Sequence, residues 1–223
     1  MQKISNYIFS ALSLLVLDVA AQKFIKNDTT TERIRISAFR VAFDVVHPIK
    51  TFATTDFSGL EVAADAEIKN YYPIIELGRW SRDVSLTNGQ YKNNGTYWRV
   101  GADVNFLKRD PVKNMFFFGI RYGHSQYNEQ LTYTFTTKEF GTIEKFAENK
   151  KLKSEWFELV TGMRVKIKGG FWMGYTGRIK LAPGLHEENQ LQSYDIPGYG
   201  LTFKKPWWGF NYYLMWKFST KAK

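Results

Sequence analysis

The 223-residue chain contains no cysteine, which excludes disulfides, thiolate zinc sites, a catalytic thiol and the lipidated cysteine of a lipoprotein. Its three histidines, His47, His124 and His186, are too few for a histidine-rich metal centre. Neither a metal nor any other cofactor is expected. Long apolar runs are also missing: a spanning helix needs about 20 such residues, and after the first 21 positions no segment approaches that.

Aromatics and glycine are plentiful instead. Aromatic residues make up 17% of the chain and there are 17 glycines, a profile of all-β proteins. The mean hydropathy of -0.36 looks soluble, but a transmembrane β-barrel gives the same figure, because only every second strand residue faces lipid. The length fits one domain.

The N-terminus carries an export pattern: Lys3 as the positive n-region, Ile8 to Leu17 as the apolar h-region, and Val19-Ala20-Ala21 as a small-residue cleavage site before Gln22. The expected organisation is a signal peptide over 1–21, a periplasmic stretch over 22–31 and a β-barrel over 32–223.

From there on the sequence alternates, and eight runs can be counted. In the fourth, Trp98, Val100, Ala102, Val104 and Phe106 share one face while Tyr97, Arg99, Gly101, Asp103 and Asn105 share the other. The second sets Leu60 and Val62 against Glu61, Asp65 and Glu67, and the fifth sets Phe118 and Ile120 against Gly119 and Arg121. The sixth opposes Phe157 and Leu159 to Glu158, Arg164 and Lys166; the seventh opposes Met173 and Tyr175 to Trp172, Arg178 and Lys180. The third sets Ile75 and Leu77 against Glu76. The eighth is an aromatic strand, Trp208, Phe210, Tyr212, Trp216 and Phe218. In the first, Phe39, Val41 and Phe43 oppose Arg40 and Asp44, with Ile34 and Ile36 out of phase, so a bulge is expected near Ser37 and Ala38.

Connections alternate in length. His47 to Phe57, Asp83 to Thr96, Asn128 to Glu155 and Pro183 to Pro206 read as long loops, whereas Lys69 to Tyr71, Lys108 to Asn114 and Lys168 to Gly170 read as short turns. Short turns on one rim, long loops on the other and an even strand number are the organisation of transmembrane barrels. Within the long 128–153 segment, Thr132-Tyr133-Thr134-Phe135 alternates weakly, so strands five and six are expected to extend beyond the membrane as a hairpin. The fold class expected is all-β, an eight-stranded antiparallel up-and-down transmembrane β-barrel with its apolar face outward. The rival is a soluble carrier barrel with the apolar face inward.

The polar faces then supply the candidate site. Arg40, Asp44, Glu61, Asp65, Glu67, Glu76, Arg99, Asp103, Arg121, Glu158, Arg164 and Arg178 would share one interior as a nearly neutral charge network, because isolated buried charges are costly and paired ones tolerable. Glycines on the same face leave room for the arginines. Such a lumen is about filled by side chains.

Asn70-Tyr71-Tyr72-Pro73-Ile74-Ile75-Glu76-Leu77-Gly78, Phe118-Gly119-Ile120-Arg121-Tyr122-Gly123, Trp156-Phe157-Glu158-Leu159-Val160-Thr161-Gly162-Met163-Arg164 and Ile196-Pro197-Gly198-Tyr199-Gly200, taken in order, resemble a family of small outer-membrane barrels of the Bacteroidota that is catalogued as a domain of unknown function. The resemblance implies an outer-membrane location and this fold, and it brings no catalytic residues.

Function is expected to be non-enzymatic: a plugged barrel acting as membrane anchor or partner platform, in contact with outer-membrane lipids and an envelope protein. The alternatives are a narrow or gated pore and a lipid-modifying barrel enzyme. For the enzyme, His124-Ser125 is the one serine-histidine adjacency, and neighbouring strand residues face opposite sides. A wide porin would use about 16 to 18 strands. The net charge of +10 lies mostly on the short-turn rim and chain ends, where anionic headgroups or an acidic periplasmic partner would meet it and nucleic acid would not.

Overall fold

The computed structural model describes residues 35–107, 109–112, 114–139, 141–181, 193–203 and 207–220. The expected signal peptide and the stretch over 22–31 lie outside the described residues, as does His186. The elements are β1 (Ala38–Asp44), α1 (Val46–Ala53), β2 (Phe57–Glu67), β3 (Tyr71–Leu86), β4 (Gly89–Asn105), β5 (Met115–Thr137), β6 (Gly141–Lys168), β7 (Phe171–Leu181), β8 (Asp195–Ile196), β9 (Gly200–Leu201) and β10 (Trp207–Ser219). Every pairing is antiparallel. β1 is hydrogen-bonded to β2 on one edge and to β10 on the other, so the eight long strands close into a ring, and β8 and β9 form a separate small hairpin.

Side-chain phase follows from the two-residue period of a strand. In β1 the residues from Ala38 to Asp44 alternate strictly between buried and exposed, with Arg40 and Asp44 inside and Phe39, Val41 and Phe43 outside. The same phase runs around the ring: Arg121 is 1% and its cross-strand neighbour Glu158 0% exposed, whereas Ile120, next to Arg121 on β5, is 60% exposed. Pairing in register keeps the outer apolar side chains together. Phe39 stacks on Phe218, its direct neighbour across β1 and β10, with ring centroids 5.0 Å apart. Phe39, Tyr71, Phe106, Phe118, Trp216 and Phe218 gather at the short-turn end of the ring, and Trp98, Tyr175, Trp208 and Phe210 lie nearer the other end.

Three expectations are corrected here. The bulge near Ser37 and Ala38 does not form: β1 begins at Ala38 and pairs without a register shift on either side, so the out-of-phase Ile36 precedes the strand. Asp83 to Thr96 is not a loop, because β3 and β4 remain paired to Leu86 and Gly89 and only Thr87-Asn88 connect them. Asn128 to Glu155 is likewise mostly strand, paired out to Thr137 and Gly141. In both segments the apolar outer face gives way to polar residues such as Lys92, Asn94 and Gln130, so the hydrophobic alternation fades while the backbone ladder continues. The hairpin expected of strands five and six is present and longer than its weak alternation suggested. Its ladder slips between Tyr127 and Glu129, where β6 carries an extra residue and Lys151 takes a left-handed φ of 58°; such a bulge bends and twists the strand.

His47 to Phe57 contains α1. Pro48 falls in its first turn, where a missing N–H costs nothing. The Asp44 carboxylate accepts the His47 backbone N–H at 3.0 Å and also contacts the His47 ring.

Candidate functional site

The interior of the ring is layered. Toward the short turns, Tyr72, Met115, Phe117 and Val160 form one buried cluster, and Trp172, Tyr213 and Met215 join Ala42, Ala63 and Ile74 in another. The Arg40 guanidinium lies 4.7 Å from the Tyr72 ring centre and that of Arg164 4.6 Å from Phe117, so cation–π contacts tie this floor to the charges above it.

Those charges form one connected network. Arg40 and Arg164 both reach Asp65 at 2.9 Å; Arg164 continues to Asp103 at 2.8 Å, and Asp103 holds Arg121 at 2.7 Å. Arg121 also meets Glu76 at 3.4 Å. Glu76 takes Arg99 at 2.5 Å and Arg178 at 3.0 Å. Arg178 extends to Glu158 at 2.7 Å, and Arg99 to Glu61 at 2.5 Å. Neutral donors fill the remaining lone pairs: the hydroxyls of Tyr97 and Tyr213 donate to Glu61, and the Trp156 indole N–H donates to Glu158 at 2.7 Å. The five arginines and five of the seven acids alternate in space, which is the arrangement that makes buried charge tolerable.

Ten of the twelve candidate residues belong to this network. Glu67 is placed nearer the short-turn rim, paired with Lys217 at 2.5 Å. Asp44 sits apart, at the other end of β1, bound to His47 and to the Tyr212 backbone N–H. Lys166, placed on the interior face by its phase, is exposed instead: β6 slips register between Lys166 and Lys168 as it enters the Gly169-Gly170 turn.

Above the charges lies a feature the alternation does not reveal. Part of the last long connection, residues 193–203, folds inward as a strap. Its β8–β9 hairpin turns at Pro197-Gly198, with the Tyr199 N–H donating to the Ile196 carbonyl at 3.0 Å and Gly198 at φ +84°, the type II geometry that proline followed by glycine favours. Ile196 and Tyr199 bury against Tyr97, Tyr127, Leu152 and Trp156. Polar groups anchor the strap as well: Arg82 pairs with Asp195 at 2.7 Å, Asn93 donates to the Asp195 carbonyl at 2.5 Å, and Ser193 contacts Tyr127 and Glu129. Lys180 donates to the carbonyls of Gly198 and Tyr199 at 2.7 and 2.9 Å. Burial raises the pKa of the Asp195 carboxyl, against the pull of Arg82 and Lys50. Burial and the neighbouring Arg82 lower that of Lys50.

His124 and Ser125 take opposite sides. His124 stacks on the outward Trp98, while Ser125 is buried and donates to the Thr96 carbonyl. Among the described residues no cluster of three or more histidine, aspartate or glutamate side chains has metal-site geometry.

The chain belongs to the family described as Domain of unknown function (DUF6048), which matches residues 2–220. No curated protein and no solved structure matches it.

Proposed function

We propose that the chain is an outer-membrane β-barrel whose lumen is closed by the arginine–carboxylate network and the strap, and which serves as a membrane anchor and partner platform. One observation carries this reading: the ring is inverted relative to a soluble barrel, with its charges inside and its apolar side chains outside. In water an apolar belt of this extent would be a strong aggregation liability, since monomeric soluble proteins rarely expose patches above a few hundred Å². In a bilayer the same belt, with aromatics toward both ends, is what lipid requires, and ring closure leaves no unpaired strand edge within it.

The platform is the part of β3 to β6 that outreaches the other strands. β5 and β6 have 23 and 28 residues against 11 for β7, whereas about 9 to 11 suffice to span. Phe146, 62% exposed, lies on this extension, as do Glu144, Lys145 and Glu148. An envelope protein is the partner this surface would meet. The N-terminal export pattern supports delivery to the outer membrane, and the basic short-turn rim would face periplasmic headgroups.

The test is folding of the full chain from urea into preformed vesicles. The chain should float with lipid, protect the ring from protease while leaving the 138–148 tip cleavable, and conduct no steady current in planar bilayers. Because there is no native cysteine, Asn88→Cys and Asp110→Cys can then be compared in whole cells: an impermeant thiol reagent should label the first and spare the second. Equal labelling would refute the orientation, and steady conduction would favour the gated pore.

A further inference from the structure

Between α1, the outer ends of β2, β3 and β10, and the strap lies a cavity of about 150 Å³. Four cations line it, Lys50, Arg82, Arg99 and Lys180, and no carboxylate does among the described residues. The two arginines are already compensated, Arg82 by Asp195 and Arg99 by Glu61 and Glu76. The two lysines are compensated only at longer range, Lys180 by Glu158, which is directly opposite it in the β6–β7 ladder, and Lys50 by Asp195 and Asp56. Among the described residues Lys180, 5% exposed, has only the Gly198 and Tyr199 carbonyls as hydrogen-bond acceptors, and an ammonium carries three donors. Lys50 lies over the Phe57 ring at 4.0 Å. Neither lysine has a carboxylate within 4.0 Å among the described residues. Elsewhere in this interior every arginine touches an acid, so two lysines without a contacting carboxylate at one cavity mark a place where negative charge can be supplied from outside.

Phe57 and Trp80 give the cavity an apolar wall, and His47 and Asn211 line it as well. Dry cavities of about this volume accommodate a single benzene-sized ring. We propose that the cavity binds a small organic anion, its carboxylate or phosphate-monoester head between Lys50 and Lys180 and its apolar body against Phe57 and Trp80. The site goes beyond the anchor reading and does not depend on it. The strap forms part of its wall through Gly198 and Gly200, so a bound anion would also hold the strap in place.

Isothermal titration of the full chain, folded in neutral detergent micelles, with phenyl phosphate, benzoate and benzyl alcohol tests this without reference to a membrane. At least one of the two anions should bind saturably, and its identity gives the head group; the neutral alcohol should not bind at the same concentrations. Lys50→Gln, on a surface helix, should keep the wild-type melting temperature and weaken the anion at least about tenfold, the loss expected for one charge-assisted hydrogen bond. Absence of saturable binding by both anions, equal binding of benzyl alcohol, or undiminished binding by Lys50→Gln would each overturn the proposal. Lys180→Gln provides a second reading from the opposite wall.

Discussion

Glu76 and Arg99 stand directly opposite each other on β3 and β4, and their side chains meet at 2.5 Å. The same carboxylate takes Arg121 from β5 and Arg178 from β7, so one acid on one strand links three others across the lumen. Removing one partner from a buried ion pair typically costs about 3 to 5 kcal/mol. Each of the three arginines keeps a second acid, respectively Glu61, Asp103 and Glu158, so Glu76→Gln should fall near the low end, about 3 kcal/mol, in urea unfolding from micelles. Adding Asp103→Asn strips Arg121 of both its carboxylates, and the double variant should lose more than the sum of the singles by about 0.5 to 3 kcal/mol. Additive losses would mean that the network is a set of independent pairs.

The strap depends on Gly198. A Cβ there would come within 2.5 Å of the Tyr97 ring, on a residue already at φ +84°. Gly198→Ala should therefore release the Pro197-Gly198 turn from the interior at a cost of about 1 to 3 kcal/mol, seen as faster amide exchange at Tyr199 and Thr202 with the ring strands unchanged. Unchanged exchange at those amides would mean that the strap is held by its flanks alone.

Of the fold, the phase of the ring was the most legible part. Strict alternation places Arg99, Arg121 and Glu158 inside and Trp98, Ile120 and Phe157 outside, because a one-residue slip would reverse every side chain at once. Which arginine meets which acid was not legible: Arg121 and Glu158 are directly opposed in the β5–β6 ladder, yet Arg121 bonds Asp103 and Glu76 while Glu158 bonds Arg178. Long side chains cross the lumen, and sequence spacing does not encode that distance. The β3–β4 extension was hidden because its outer face is polar, leaving no hydrophobic period to read, whereas the β5–β6 extension left only the weak alternation at Thr132 to Phe135. The strap left one trace, Pro197-Gly198, which marks a turn without saying that the turn points inward.

Asp195 gives the strap a pH dependence of definite sign. Burial raises its folded-state pKa above the ordinary value of 3.8. A raised value means that its contribution to stability is fully present below the unfolded pKa and is lost as pH rises through the folded one. Asp195→Asn mimics the protonated acid at every pH. The melting temperature of the variant minus that of wild type should accordingly be near zero below about pH 3.8 and become positive as the pH approaches neutrality. A negative difference at neutral pH would show that the Arg82 pair outweighs burial.

Trp98 and Trp216 point away from the interior, 37% and 52% exposed, whereas Trp156 is 1% exposed inside the ring. Single-tryptophan variants retaining one of these three, folded into vesicles whose acyl chains carry bromine, read out directly which face meets lipid. Strong fluorescence quenching of Trp98 and Trp216 with little quenching of Trp156 is the outcome predicted for a transmembrane barrel. Quenching of none of them, with the chain folded and monodisperse in the aqueous phase, would contradict it.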